Sequence, residues 1–191
     1  MEIEDIYGDL PSLETDRLVL RKITLNDVDD MYSYSSSNDV SRYVTWDTHD
    51  SIKDTKAFVK FAKNQYENKK IAPWGIILKE NDKFIGTIDF VWWKPVHKTA
   101  EIGYVLSQEY WGQGLMPEAA REIIKFGFEK MDLVRIQAKC FVENVPSQRV
   151  MEKVGMTYEG TLRKSMLVKG EHRDLKTYSI LREEFEGKSV D

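Results

Sequence analysis

The chain has 191 residues, 41% of them hydrophobic and 31% charged, a balance that excludes a disordered polypeptide and allows one domain with a sizeable core. Its 28 basic and 32 acidic residues leave a net charge of −4, which argues against a general nucleic-acid binder, and no apolar run approaches the roughly 20 residues that span a bilayer. A single cysteine, Cys140, removes an intrachain disulfide and a cysteine-built zinc site, and His49, His97 and His172 lack metal-ligand spacing, so no metal is expected.

Met1 to Asp9 carries four acidic residues and no basic one, unlike a secretory or organelle leader, so a cytoplasmic location is expected. Arg17 to Ile23 alternates apolar and polar side chains and predicts a first strand. Thr24 offers an N-cap for a short helix from Leu25 to about Ser35. Ser51, with Asp54 three residues on, starts a better helix in which Phe58, Phe61, Ala62 and Tyr66 recur at helical spacing. Trp74–Leu78 and Phe84–Trp92 predict a hairpin turned at Glu80-Asn81-Asp82, and Thr99–Leu106 predicts a further strand.

Beyond Gly112-Gln113-Gly114 a helix is predicted from about Pro117 to Met131, because proline fits a first turn where its missing N–H has no partner to lose. Met116, Ala119, Ala120, Ile123, Ile124 and Phe128 form its buried stripe. Arg135–Phe141 alternates again, with Ile136, Ala138 and Cys140 on one side; that placement makes Cys140 a packing thiol. A short helix starts near Asn144 and closes at Gly155, and strands at Thr157–Val168 and His172–Leu181 flank a turn at Lys169-Gly170-Glu171. There is no repeat, low-complexity tract or linker. The pattern is a mixed α/β (α+β) domain whose strand–helix–strand units favour locally parallel pairing in the second half.

The chemistry is concentrated in Ala100–Glu118, AEIGYVLSQEYWGQGLMPE. A strand there enters a glycine-containing loop, and the loop enters a helix. Such a loop aims main-chain N–H groups and the positive helix end at one point, which suits a phosphate. A dinucleotide fingerprint needs a third glycine where Pro117 stands, and a Walker loop needs Gly-Lys-Ser/Thr where Leu115-Met116 stands, so both are excluded. Taken alone, Gly-x-Gly is equally a tight turn.

The stretch resembles the acetyl-CoA motif of the GNAT superfamily, Gln/Arg-x-x-Gly-x-Gly/Ala, and is most similar to the branch that acetylates N-termini of ribosomal proteins. Leu13-Glu14-Thr15-Asp16-Arg17-Leu18, Ala100-Glu101-Ile102-Gly103-Tyr104, Asn144-x-x-Ser147, Glu152-Lys153-Val154-Gly155-Met156 and Gly170-x-x-x-Asp174 match that branch in order. The resemblance covers residues 13–186 as a single acetyltransferase domain, with an extension at 1–12 and a tail at 187–191. It implies a GNAT fold: a mixed central sheet of about seven strands flanked by helices, with the fourth and fifth strands, 99–106 and 135–141, splayed apart. Two positions depart from the motif. Trp111 replaces its first residue, and Met116 replaces its last, where a larger side chain is expected to crowd the phosphates.

By that resemblance the pantetheine arm of acetyl-CoA lies against main-chain groups of Val105 and Leu106, with the Val105 N–H as donor to the developing oxyanion. Gly112, Gln113, Gly114, Leu115 and Met116 cradle the pyrophosphate, and Asn144 and Ser147 contact the arm and its sulfur. The attacking amine must lose a proton near neutral pH. Glu101 is the preferred base, since alternation puts it on one face with Gly103 and Val105. Its plain structural reading is a carboxylate paired with a neighbouring cation. Asp89 is the second choice, and Asp89, Trp92 and Tyr104 are candidates to touch the acceptor. Relatives carry a tyrosine acid four residues before the helix-closing glycine; Met151 stands there, leaving Ser147 or water to protonate the thiolate. Asn144 and Ser147 also read as ordinary helix-start residues.

The expected activity is acetyl transfer to a primary amine, either a protein N-terminus or a small molecule, with a homodimer as the family-level expectation. A non-catalytic acyl-CoA-binding regulatory module is the alternative, and a pure interaction domain the third.

Overall fold

The computed structural model describes residues 1–187. In chain order the strands are β1 (Leu13–Glu14), β2 (Leu18–Lys22), β3 (Trp74–Leu78), β4 (Lys83–Lys94), β5 (Thr99–Leu106), β6 (Arg135–Phe141), β7 (Thr157–Val168) and β8 (Glu171–Leu181). The helices are α1 (Ile3–Tyr7), α2 (Val28–Ser35), α3 (Asn38–Ser41), α4 (Ile52–Glu67), α5 (Leu115–Lys130), α6 (Val145–Lys153) and α7 (Arg182–Gly187). The strands form one eight-stranded sheet in the order β1-β2-β3-β4-β5-β6-β8-β7. It has one strand more than anticipated because β1, two residues long, is too short to show a period. The expected tail at 187–191 lies outside the described residues except for Gly187, which ends α7.

Strand alternation sorts the core into two layers. On one face Ile88, Phe90, Ile102 and Ile136 meet the stripe of α5, where Ala119, Ala120, Ile123 and Ile124 are fully buried. On the other, Ile77 and Phe84 pack under α2 and α4 with Ile23, Met31, Val59 and Ala62. Each such large side chain contributes about 1.5–3 kcal/mol on burial. The α4 stripe is turned slightly from its predicted setting: Val59 carries the buried line, and Phe61 is 53% exposed. Residues ahead of 13 belong to the packing too, since Tyr7 and Leu10 are buried and the Trp74 indole donates to the Pro11 carbonyl at 2.7 Å.

Local chemistry fixes the helix starts. The Ser51 amide donates to Asp54 Oδ2 at 2.9 Å and opens α4, and the Ser147 amide donates to Asn144 Oδ1 at 3.2 Å and opens α6. Helix α5 begins at Leu115, ahead of the predicted start, because Gly114 takes the left-handed conformation (φ 77°) and turns the chain directly into the helix.

Every neighbouring pair is antiparallel except β5 and β6. That parallel ladder runs from Thr99↔Arg135 to Ile102↔Ala138 and stops there. Strand β5 continues to Leu106 and β6 to Phe141, so their carboxyl halves are splayed, as the fold expectation requires. No helix among the described residues is long and apolar enough to cross a membrane.

Candidate active site

The glycine loop sits at the open end of this gap. Gly112 and Gly114 have φ of 76° and 77°, a region that side chains with a Cβ enter only under strain. Among the described residues, the amides of Gly112, Gln113, Gly114, Leu115 and Met116 donate to no main-chain carbonyl. Five donors converging at a helix N-terminus form a cradle for an anion. Met116 does not crowd it: its side chain is 5% exposed and packs inward against the α5 core, so only its N–H faces the cradle. Trp111 staples the loop to the sheet, its indole donating to the Leu106 carbonyl at 2.8 Å.

A clamp holds the cradle from the far side. Glu118, in the first turn of α5, accepts hydrogen bonds from the Thr15 hydroxyl (2.5 Å), the Arg17 amide (2.9 Å) and Arg17 Nε (2.7 Å). Arg17 also donates from Nη1 to the Gln113 carbonyl at 3.0 Å. The Thr15 and Arg17 bonds hold the Glu118 carboxyl below its usual range against the opposing effect of burial. The motif around Thr15 and Arg17 was legible in the sequence, but its purpose, tying β2 to the loop, was not.

The ladder revises one donor. The Ser107 amide donates to the Ile85 carbonyl, and the β4–β5 register continues unbroken through Thr87↔Val105 and Asp89↔Gly103. Antiparallel pairs alternate, so both main-chain groups of Val105 turn toward Thr87 rather than into the gap. The amides that face the gap belong to Tyr104 and Leu106.

Tyr104 is displaced from its anticipated role as well. Its side chain points to the α5–α6 side, opposite Asp89 and Trp92, and its hydroxyl bonds Ser147 Oγ at 2.9 Å. Burial raises the Tyr104 phenol well above its ordinary value, partly offset by the Ser147 bond. Cys140 lies beside the same serine, its thiol pushed up to about 11 mainly by burial, which leaves it protonated and inert near neutral pH. Met151, at the place of the usual tyrosine, is 1% exposed and serves the core.

On the opposite face of the gap, Glu101 Oε2 accepts from Gln137 Nε2 at 2.6 Å and pairs with Lys139 Nζ at 2.9 Å. The cation partner foreseen in its plain reading is therefore present, and Oε1 has no partner among the described residues. Trp92 is in register with Glu101 and carries Lys94 Nζ 5.0 Å above its ring. Trp93 is buried and in register with Ala100, on the opposite face, whereas Trp46 packs on His49 and on the same hydrophobic cluster as Val105, under α2 and α4. Asp89 stands beside Gly103, where a Cβ would come within 3.4 Å of its Oδ1. Burial pushes the Asp89 carboxyl up to about 7.

Comparison with known proteins agrees with this geometry. The model of the acetyltransferase (GNAT) domain family matches residues 17–157. The uncharacterized N-acetyltransferase YoaA of Bacillus subtilis is 35% identical over 90% of this chain and 97% of its own. The ribosomal-protein-serine acetyltransferase of Escherichia coli is 35% identical over 54% of this chain and 58% of its own. A GNAT acetyltransferase from Bacillus anthracis superimposes with a TM-score of 0.81 at 34% identity, covering 91% of this chain and 99% of that one. The self-immunity acetyltransferase MccE, solved with acetyl-CoA and AMP, superimposes with a TM-score of 0.78 at 26% identity, covering 87% and 93%. The left-handed glycines, the free amides and the splayed strands fit the same coenzyme here. The chain thus belongs to the GNAT acetyltransferase family, as an acetyl-CoA-dependent enzyme similar to the ribosomal-protein acetyltransferase branch.

Proposed function

We propose that this enzyme acetylates a primary amine by direct transfer, with Glu101 as base and Ser147 as proton source for the departing thiolate. One observation carries the reading: the β5–β6 ladder carries a carboxylate on one face at its second-last rung, and the gap beyond it has a hydroxyl pair on the other. Acetyl-CoA supplies a thioester carbonyl. The amides of residues 112–116 hold its phosphates, and those of Tyr104 and Leu106 are placed to hold its arm or the carbonyl oxygen.

Lys139 and Gln137 fix one oxygen of Glu101, which leaves the other to take the proton that the amine gives up as its nitrogen bonds the acetyl carbon. The thiolate takes its proton through Ser147, which is positioned by Tyr104 and recovers a proton from solvent in the same relay. This hydroxyl pair stands in for the tyrosine that Met151 replaces. The acceptor we favour is a peptide N-terminus, in keeping with the ribosomal-protein acetyltransferase among the relatives. A cytoplasmic location and a homodimer belong to the same proposal; light scattering tests the second.

A second reading assigns the base to Asp89, and the specific support is its burial: a carboxyl titrating near 7 is well matched to removing a proton at neutral pH. Thiol release from acetyl-CoA, measured across peptides and small amines, tests the activity. Comparing Glu101→Gln with Asp89→Asn in the same assay separates the two bases. Loss of turnover in the first alone supports Glu101, and loss in the second alone moves the role to Asp89.

A further inference from the structure

Beyond the gap, on the face that carries Glu101, the sheet ends in a cavity of about 160 Å³ lined by Arg42, Tyr43, Phe141, Glu143 and Arg173. It joins three separate parts of the chain. Arg42 and Tyr43 follow α3, Phe141 and Glu143 end β6, and Arg173 lies on β8. Lys169, in the β7–β8 turn, donates to the Ser41 carbonyl at 2.7 Å and holds the first wall against the third. Tyr43 and Phe141 meet edge to face at 6.4 Å and form an aromatic floor.

The charge of this cavity opposes that of the molecule. Two guanidinium groups and one carboxylate line it, with the Lys169 ammonium adjoining, in a chain whose net charge is −4. The Arg42 guanidinium lies 5.1 Å above the Tyr43 ring and, among the described residues, has no carboxylate within ion-pairing distance. Arg173 is paired with Glu171 at 2.6 Å, but that glutamate is 66% exposed, so the pair is screened by water and readily exchanged for another anion. An arginine fork beside an aromatic floor is suited to a carboxylate. The volume accommodates one acidic side chain with its waters, each of which takes about 30 Å³.

Its position relative to the base gives a length. Gln137, Lys139 and Phe141 share one face of β6, and the first two hold Glu101. At about 3.3 Å per residue, Phe141 stands about 7 Å past Lys139 and about 13 Å past Gln137. An extended peptide with its amine at Glu101 therefore reaches the cavity with its second to fourth residue.

We infer that Arg42 and Arg173 form an acceptor subsite for a carboxylate carried about 7–13 Å from the reacting amine, so that the enzyme selects anionic acceptors. The inference rests on the acetyl-transfer reading and narrows its acceptor. Two sources share this chemistry: a peptide with an acidic second or third residue, and a long-chain ω-amino acid.

The test uses the full chain and serine-initiated tetrapeptides with two glutamates, two glutamines or two lysines at positions two and three. 6-Aminohexanoate, whose extended amine-to-carboxylate span is about 8 Å, and hexylamine form the small-molecule arm. The glutamate peptide should exceed the glutamine peptide at least tenfold in kcat/KM, and the lysine peptide should be poorest. Arg42→Ala and Arg173→Ala should each bring the glutamate-to-glutamine ratio close to one, and the double change to glutamate should invert it. Preference for 6-aminohexanoate over hexylamine without peptide discrimination, lost in the same variants, assigns the subsite to a long-chain ω-amino acid. Equal rates throughout, or a preference that survives both substitutions, overturns the inference while leaving acetyl transfer intact. Calorimetry of the three peptides into the CoA-saturated protein decides independently of turnover. Equal or absent binding of the glutamate peptide overturns the subsite, whereas tight glutamate-selective binding without thiol release counts against the transfer reading alone.

Discussion

The two sides of the β5–β6 gap are built from different materials. On the side proposed for the coenzyme the available groups are main-chain amides, placed by Gly112 and Gly114 and braced by Arg17 and Glu118. On the side proposed for the acceptor they are side chains, Glu101, Lys139, Asp89 and the arginines around Phe141, contributed by separate strands and loops. A main-chain cradle accepts many side chains provided the backbone conformation survives, which is why Trp111 and Met116 are tolerated at motif positions. A site made of side chains changes its ligand with each substitution. The coenzyme is thereby common to the family, while the acceptor belongs to the individual chain.

The sharpest way to break this contrast is to alter one group on the acceptor side. Glu101→Gln should lower kcat by about 100-fold or more and leave acetyl-CoA affinity within about twofold. A stopped-flow thiol assay together with calorimetry measures both, and an unchanged rate across pH 6–9 removes Glu101 from the reaction. On the coenzyme side, Gly114→Val forces a β-branched residue to φ 77° at about 1–3 kcal/mol of strain and should weaken CoA binding about tenfold, with circular dichroism showing the fold retained. Glu118→Ala tests the brace. It leaves the Arg17 amide without its acceptor, so thermal unfolding should show a loss of about 1–2 kcal/mol, with a few-fold weaker CoA binding.

Asp89 offers a pH test. Its carboxyl holds a proton more tightly in the folded protein, near 7, than its ordinary value of 3.8, so wild-type stability should decline as pH rises between those values. Asp89→Asn lacks this decline. The variant should gain on the wild type by about 1–2 kcal/mol between pH 5 and pH 8.5 in urea titrations, less than full burial would give because the side chain retains solvent contact. A constant difference at the two pH values would contradict the burial effect. Smallest is Tyr104→Phe, which removes the partner of Ser147 Oγ and should reduce kcat by only a few-fold, with KM for acetyl-CoA unchanged.

The same division explains what the sequence disclosed. Glycines before a helix announce a backbone conformation locally, so the cradle, the helix α5 stripe and the strands at Thr99–Leu106 and Arg135–Phe141 could be read from spacing and family motifs. The capping pair Ser51–Asp54 was legible for the same reason. Helices α1 and α3, five and four residues long, have no measurable period and are held by tertiary contacts. The family resemblance implies a free N–H at Val105, and side-chain alternation cannot check it, because it tells which face a residue takes but not toward which neighbour its amide turns. The phase of the ladder, visible in the Ser107–Ile85 bond, decides that. Arg42, Phe141 and Arg173 meet only through the fold, and no local pattern joins them.

The bond from the Arg17 amide to Glu118 spans 101 positions of chain. Ordering of the glycine loop is therefore coupled to docking of the amino-terminal strand, an entropically costly closure. The dependence is reciprocal by thermodynamic linkage: if the loop holds the coenzyme as proposed, binding also protects β2 from fraying, so amide exchange at Leu18 and Val19 should slow when CoA is added. An edit near the beginning of the polypeptide would then register as a coenzyme defect, at a distance from any atom the coenzyme touches.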